Sequence, residues 1–215
     1  MNLDQETAEI IAANLLQIKA IKLNNAQPFV WASGLKSPIY CDNRITLSYP
    51  KIRTYIRQQL AKAVAEHFGN VDLIAGVATA GIPQGVLLAQ ELGLPFAYVR
   101  SSAKDHGMTN MIEGVVNSGQ TVVVVEDLVS TGKSSLLAVE ALRNAGAKVV
   151  GMLAIFTYGL PVAEQNFTEA NCRLITLSDY DSLISKAVED EYISKKDEIS
   201  LRDWRKSPKD WSDSH

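Results

Sequence analysis

The sequence has little cysteine: Cys41 and Cys172 are the only two among 215 residues. They lie far apart and form no C-x-x-C pair, which excludes a zinc site built on thiolates. So few cysteines also exclude a small disulfide-stapled scaffold and favour a reducing, cytoplasmic environment.

The chain also lacks an excess of positive charge. Lys and Arg total 21 against 24 Asp and Glu, which gives a formal net charge of −3. Proteins that bind nucleic acid non-specifically normally carry a basic excess, so we expect no nucleic-acid partner. Any anionic ligand must instead meet positive charge that is gathered locally.

Long hydrophobic runs are missing too. The uncharged apolar stretch Val149–Ala163 is interrupted by Gly159 and Pro161, and it is shorter than the roughly 20 residues of a membrane-spanning helix. The acidic N-terminus lacks the basic and apolar regions of a signal peptide. We therefore expect a soluble, cytoplasmic protein without a membrane partner.

Hydrophobic residues, at 47% of the chain, are sufficient for a full core. After an N-terminal helix and a loop rich in Gly, Pro and aromatic residues, apolar strands alternate with helices. The predicted strands are Val71–Val77, Pro95–Val99, Thr121–Val125, Val149–Phe156 and Cys172–Thr176. This alternation predicts an α/β fold with a mainly parallel, twisted sheet flanked by helices on both faces.

The stretch Val122–Ser135 carries the chemistry. An apolar strand ends at Glu126 and Asp127, and the small-residue loop Ser130–Gly132 then leads into a helix. Ligands bind beyond the carboxyl ends of parallel strands, and a helix N-terminus favours phosphate. The acids suit sugar hydroxyls or a hydrated Mg²⁺. Acids beside a phosphate cradle therefore suggest a ribose phosphate.

Two other interpretations of this stretch compete with a ribose-phosphate site. Thr131–Ser134 looks like the end of a nucleotide-binding P-loop, but that motif needs a glycine five residues before its Gly-Lys pair. Asp127 occupies that position, so the P-loop interpretation fails. A strand–turn–helix with acids there by chance is disfavoured, because acids, hydroxyls and glycine follow in the order that the chemistry needs.

The same stretch resembles the phosphoribosyl-pyrophosphate (PRPP) motif of type I phosphoribosyltransferases. Arg100–Gly107 resembles the mobile catalytic loop of the orotate phosphoribosyltransferases in that family, with its pattern R-x-x-x-K-D-H-G. Phe29–Tyr40 resembles their N-terminal substrate segment, and Val77–Pro83 resembles their pyrophosphate loop. The resemblance implies the type I phosphoribosyltransferase fold with a small N-terminal hood.

The resemblance also implies an activity. These enzymes transfer the phosphoribosyl group from PRPP to orotate and give orotidine 5′-monophosphate and pyrophosphate in pyrimidine (UMP) biosynthesis. Mg²⁺ is the implied cofactor, held through PRPP and water without a firm protein ligand. A homodimer is implied as well, in which the mobile loop of one subunit completes the site of its neighbour.

Individual roles follow from the resemblance. Lys104, His106 and Asp127 are the expected catalytic residues: the first two neutralise or protonate the leaving pyrophosphate, and the carboxylate stabilises positive charge on the ribose. The residues expected to bind PRPP are Arg100, Lys104, His106, Glu126, Asp127, Leu128, Val129, Ser130, Thr131, Gly132, Lys133 and Ser134.

The orotate contacts match the family less well. Ser130 stands where the family often has a threonine that touches orotate, but Phe156–Gly159 lacks the arginine with which some members hold its carboxylate. Because orotate is an anion, we predict Arg44 as the replacement, with Lys36 second and Tyr40 as a further contact. The alternative is that Arg44 forms only a structural ion pair. Ala32, Ala80 and Ser101 stand where relatives often have lysine.

The predicted organisation is a single phosphoribosyltransferase domain with three parts. Residues 1–48 are the N-terminal helix and substrate hood, 49–180 the PRPP-binding α/β core, and 181–215 a charged tail. Trp204 and Trp211 of the tail are expected to pack back on the body, although a contact with a partner subunit remains the alternative.

Two other functions share the PRPP motif. One is a purine or xanthine phosphoribosyltransferase, which Phe29–Arg44 disfavours because that segment resembles the orotate enzymes. The other is a PRPP-sensing regulator on the same fold, which would need an added nucleic-acid-binding element; the tail carries no basic helix of that kind.

Overall fold

The computed structural model describes residues 4–31, 33–100 and 111–215. The helices are α1 (Gln5–Gln17), α2 (Pro50–His67), α3 (Gly81–Leu92), α4 (Lys133–Asn144), α5 (Pro161–Glu169), α6 (Tyr180–Glu189), α7 (Lys195–Lys206) and α8 (Pro208–Ser214). The strands are β1 (Ile21–Leu23), β2 (Phe29–Val30), β3 (Lys36–Ser37), β4 (Ile39–Cys41), β5 (Leu73–Val77), β6 (Phe96–Val99), β7 (Ile112–Glu113), β8 (Thr121–Val129), β9 (Lys148–Thr157) and β10 (Leu174–Asp179). A 3-10 helix covers Asn43–Ser48.

In the described part of the chain, a six-stranded sheet has the order β10-β9-β8-β5-β6-β7. Its first five strands are parallel, and the short edge strand β7 runs antiparallel to β6. The predicted mainly parallel sheet is thus confirmed. Strand β7 had no recognisable pattern in the sequence, because only two of its residues pair and a polar stretch precedes them.

Helices cover both faces of this sheet. Successive valines of β8 alternate between the two sides: Val123 and Val125 join the core under α1, α2, α3 and α6, whereas Val122 and Val124 join the core under α4 and α5. All four are fully buried. This double burial is why the strand appears in the sequence as a continuous β-branched run rather than as an alternating one.

The N-terminal residues form a helix and two small antiparallel sheets. The Asp4 side chain caps α1 by accepting a hydrogen bond from the Thr7 backbone N–H at 2.7 Å. After α1, β1 pairs with β4, and between them β2 and β3 form a hairpin. We call the segment from β1 to β4 the hood, since it stands beside the end of β8.

The C-terminal helices belong to the body of the protein. Leu183 and Ile184 of α6 are fully buried in the core that also contains α1. Trp204 of α7 and Trp211 of α8 are buried as well. The expectation that both tryptophans pack back on the body is what the structure shows. Within the described residues, no helix has the length and apolar composition that crossing a bilayer requires.

Several boundaries differ from those predicted. The strand expected to end at Val125 continues to Val129, so Glu126 and Asp127 lie within β8 and not after it. The reason is that β9 extends beside it: Val129 still has Thr157 as its partner in β9. The final strand is likewise shifted, to Leu174–Asp179.

Candidate active site

The crevice at the carboxyl ends of β5 and β8 is where the sheet topology favours a ligand. The chain runs from β5 outward to β6 and later returns to place β8 on the other side of β5. Loops that leave two neighbouring strands in opposite directions open a crevice between them. The pairing of β5 with β8 ends at Gly76 and Val125, so the next residues of β8 border this crevice.

The helix that follows β5 approaches β8 closely. A Cβ on Gly81, the first residue of α3, would collide with the backbone carbonyl oxygen of Val125. A side chain is therefore excluded at this position, and the N-terminus of α3 lies against the strand just before its two acids. Val77–Pro83, the segment that resembles the pyrophosphate loop of the family, consequently borders the same crevice as Glu126.

Glu126 is buried, with only 7% of its surface exposed. One carboxylate oxygen accepts a hydrogen bond from the Asp127 backbone N–H at 3.0 Å, and the other accepts one from Ser135 Oγ at 2.9 Å. Burial, reinforced by the charge of Asp127, raises the pKa of Glu126 to about 8. The two hydrogen bonds fix this carboxyl between β8 and the first turns of α4.

Asp127 is more exposed than Glu126. Its backbone carbonyl accepts a hydrogen bond from Asn43 Nδ2 at 2.7 Å. Burial raises the pKa of its carboxyl, while Arg44 is among the groups that lower it. Asn43 follows the hood directly and is almost fully buried, and this hydrogen bond ties the end of the hood to the strand that carries the acids.

Ser130–Ser134 form the turn into α4. Gly132 caps this helix in a left-handed conformation with φ of 78°, which favours glycine. A Cβ there would also lie 2.6 Å from the Phe167 ring. The Thr131 carbonyl accepts a hydrogen bond from Asn166 Nδ2 at 2.8 Å, which holds the turn from behind. The helix N-terminus can thus present its backbone N–H groups to a phosphate.

A pocket of about 270 Å³ lies between the hood and the end of β8. Residues from four separate segments line it: Val30, Trp31, Tyr40, Cys41, Leu128, Ser130 and Tyr158. Trp31 and Tyr158 are stacked with ring centroids 5.3 Å apart and an angle of 23° between their planes. Burial keeps the pKa values of the Cys41 thiol and the Tyr158 hydroxyl well above their usual ranges. The pocket is therefore lined by aromatic and uncharged groups.

Arg44 lies at the start of the 3-10 helix and forms a two-pronged ion pair with Asp42, at 2.6 and 2.9 Å. Its side chain is 60% exposed. Tyr40 and Asp127 contribute, after Asp42, to raising its pKa, which places Arg44 near both. Lys36, the second candidate, is exposed in β3. The ion-pair alternative therefore has a geometric basis, and the orotate contact of Arg44 remains a prediction.

Arg100 stands at the end of β6. Its backbone N–H donates to the Met111 carbonyl at 2.8 Å, and its guanidinium lies 3.8 Å from a Glu113 carboxylate oxygen. The predicted catalytic residues Lys104 and His106 lie outside the described residues, as do Ser101 and Ala32. The described structure brings together Asp127, the Ser130–Ser134 turn and the uncharged pocket.

Sequence reasoning missed three residues of this site. The sequence draws attention to the charge of Arg44 and not to its neighbour Asn43, although an Asn side chain carries N–H donors that can bind a backbone carbonyl. Tyr158 falls within Phe156–Gly159, where the sequence shows only that an arginine is missing, yet its own ring forms a wall of the pocket. Trp31 lies in Phe29–Tyr40, the segment that resembles a substrate segment, but its stacking on Tyr158 had no local signal because the two rings are more than half the chain apart.

Comparison with known proteins agrees with this geometry. A family model described as "Phosphoribosyl transferase domain" matches residues 47–187. The orotate phosphoribosyltransferase of Porphyromonas gingivalis is 56% identical over 203 residues, covering 94% of this chain and 97% of that protein.

Solved structures are similar as well. Orotate phosphoribosyltransferase from Aeropyrum pernix superimposes with a TM-score of 0.74 at 28% identity, over 86% of this chain and 99% of that one. UMP synthase from Leishmania donovani gives a TM-score of 0.79 at 27% identity over 94% of this chain, which spans 42% of that protein. With the predicted type I fold thus confirmed, the chain belongs to the phosphoribosyltransferase family, among the orotate phosphoribosyltransferases.

Proposed function

We propose that this chain transfers the phosphoribosyl group of PRPP to orotate and releases orotidine 5′-monophosphate and pyrophosphate. The observation that carries the proposal is that two features share the end of β8. One is the Ser130–Ser134 turn, which we call the phosphate turn, and the other is the uncharged pocket beneath the hood, which we call the base pocket. Ser130 begins the turn and also lines the pocket, and Leu128 lies just before it. A 5′-phosphate on the turn and a planar ring in the pocket would flank one ribose.

The proposed chemistry needs no covalent nucleophile. Breaking the bond between ribose C1 and pyrophosphate develops positive charge on the ribose, which a nearby carboxylate stabilises. Asp127 is the more exposed acid at this point and takes that role, with Glu126 beside it at the ribose hydroxyls. The backbone and hydroxyl groups of Ser130–Ser134 would hold the 5′-phosphate.

We propose Mg²⁺ as the cofactor. The acids at the end of β8 offer carboxylate oxygens, the hard donors that Mg²⁺ prefers, and the ion commonly keeps waters and substrate phosphates as its other ligands. Bound with PRPP, it would neutralise charge on the leaving pyrophosphate. Asp127 and Glu126 would meet the ion through water, without serving as a closed protein cage.

We further propose a homodimer in which Arg100, Lys104 and His106 act in the neighbour's site. The support is the resemblance of Arg100–Gly107 to the mobile loop, together with the position of Arg100 beside the crevice strands. Mixing an Asp127→Asn variant with a Lys104→Ala variant tests this. Activity recovered in the hybrid supports shared sites, and no recovery means that each chain supplies its own loop.

The direct test of the function is the loss of orotate absorbance on adding PRPP and Mg²⁺, with inorganic phosphate replacing PRPP as the control. We expect turnover only with PRPP. Turnover with purine bases but not with orotate would overturn the proposal in favour of a purine enzyme. PRPP binding without turnover of either base would instead favour a regulatory protein.

A further inference from the structure

The C-terminal helices α7 and α8 reach the wall of the base pocket. This suggests a role for these helices, although none of their residues takes part in the reaction itself. We propose that Trp204 of α7 is a positioning residue for the nucleobase: it holds Trp31 and Tyr158 in the stacked arrangement that forms the pocket wall. The proposal rests on the proposed function, because it concerns how orotate is bound.

Trp204 touches both rings of the wall at once. Its indole meets Trp31 edge-on, with centroids 5.7 Å apart and an angle of 79°, and meets Tyr158 in the same way at 5.6 Å and 87°. Such edge-to-face pairs are a favoured arrangement of aromatic rings. Tyr180 also packs on the indole, with centroids 5.4 Å apart and an angle of 35° between the ring planes. Trp204 is 1% exposed, so it acts through its neighbours and does not meet the ligand.

The β2–β3 hairpin of the hood needs contacts with the rest of the protein to hold Trp31 in position. Among the described residues, strand pairing in the hairpin that carries Trp31 is limited to Phe29 with Ser37 and Val30 with Lys36, and the Trp31 backbone adds turn hydrogen bonds to Gly34 and Leu35. A short two-stranded hairpin is marginally stable by itself in water. The Trp31 indole N–H donates to the Ile39 carbonyl at 3.3 Å, which fixes one edge of the ring, but its face lies on Tyr158. The orientation of Trp31 must therefore come from the packing around it.

The same helices also hydrogen-bond to the hood. Asn25 Nδ2 donates to the Asp197 backbone carbonyl and carboxylate of α7, both at 3.1 Å. The Lys36 backbone N–H donates to Ser212 Oγ of α8 at 2.9 Å. These bonds secure the hood on either side of the aromatic cluster.

Helix α7 is itself fixed to the body. Arg202 and Arg205 both bind the Asp181 carboxylate of α6, at 3.1 and 2.6 Å. The C-terminal helices thus connect the hood to the sheet. A change in their packing would therefore be transmitted to the base and much less to the phosphate turn, which lies on α4.

The test is steady-state kinetics of Trp204→Leu and Trp204→Phe with orotate and PRPP varied separately. For Trp204→Leu we expect the KM for orotate to rise about tenfold, the effect of losing two aromatic pairs, with the KM for PRPP changed less than about twofold. Trp204→Phe keeps a ring in place and should recover most of the orotate affinity.

Leu183→Ala is the matched control, because Leu183 is a fully buried residue of α6 in the same core and takes no part in the ring cluster. At a comparable loss of Tm, it should raise neither KM selectively. The proposal would be overturned if Trp204→Leu raised both KM values by the same factor. It would also be overturned if Leu183→Ala raised the KM for orotate selectively.

A second variant keeps the test decisive if Trp204→Leu does not fold. Asn25→Ala combined with Ser212→Ala removes the hydrogen bonds between hood and tail without opening the core. We expect the KM for orotate to rise about threefold with the KM for PRPP unchanged; no selective rise contradicts the proposal. Absence of orotate turnover in the unmodified protein would refute the proposed function itself, and this inference with it.

Discussion

The two halves of the candidate site, the phosphate turn and the base pocket, are built in different ways. The turn comes from one continuous stretch, Glu126–Ser134, in which β8 passes into α4. The pocket is assembled from the hood hairpin, β4, the end of β8 and the residues after β9. The turn relies on backbone N–H groups, which every residue except proline supplies, whereas the pocket relies on particular side chains.

This difference separates two tasks. Backbone geometry can bind a phosphate whatever base is used, so the turn can serve a whole family of phosphoribosyl reactions. Side chains brought together from distant segments set the shape of the pocket, so we expect selectivity for a base to depend on them. Substitutions in the turn should therefore affect PRPP, and substitutions around the pocket should affect orotate.

The largest effect is expected for Asp127→Asn, which removes the charge at the point where turn and pocket meet. We expect kcat to fall by about 10²–10³, as when one preorganised electrostatic group is lost from an active site. Single-turnover rates at saturating substrates measure this. Asp72→Asn is the control, since Asp72 accepts a hydrogen bond from Thr121 at the opposite end of β8; equal losses in both would contradict the assignment.

Next in size is Gly132→Ala, which tests the turn alone. The new methyl group meets the Phe167 ring, and the left-handed backbone becomes strained. We expect the KM for PRPP to rise roughly 10- to 100-fold with little change for orotate. Gly119→Ala is matched in having positive φ, at 86°, but open space for the Cβ. If both variants impair PRPP binding equally, strain alone explains the result.

A smaller effect is expected for Arg44→Ala at the edge of the pocket. If this guanidinium attracts the orotate anion, the KM for orotate should rise about tenfold and the KM for PRPP should not. The Tm should hardly change, because an ion pair as exposed as the one with Asp42 contributes little to stability. Lys36→Ala provides the comparison. Equal changes in both KM values would show that Arg44 does not bind orotate and serves only in its ion pair with Asp42.

The smallest effect concerns the burial of the acids. Because the pKa of Glu126 is raised in the folded protein to about 8, its ionisation costs stability as the pH rises from its unfolded value, 4.5, towards 8. Glu126→Gln carries no such cost. Relative to the unmodified protein, its Tm should therefore improve between pH 5 and pH 8.5 by about 2–4 °C for each kcal/mol of that cost. A Tm difference that is the same at both pH values would show that Glu126 titrates normally.

Local pattern was sufficient for the parts of the molecule that are continuous in sequence. The run of valines in β8, Gly132 before α4 and Pro50 at the start of α2 each carry their structural reason within a few residues. The extension of β8 to Val129 could not be foreseen, because it depends on β9 lying alongside. The pairing of Asn43 with the Asp127 carbonyl depends equally on how the hood folds over the strand.

The α/β architecture and the turn before α4 could be predicted from the amino-acid order, since alternating strands and helices and a strand–acid–glycine–helix order act over short distances. Which rings form the base pocket, and the support that Trp204 gives them, depend on contacts between distant parts of the fold. Trp31, Tyr158 and Trp204 meet because the hood and the C-terminal helices converge on the end of the sheet. Such contacts between distant segments arise from the packing of the whole chain and leave no periodic trace in it.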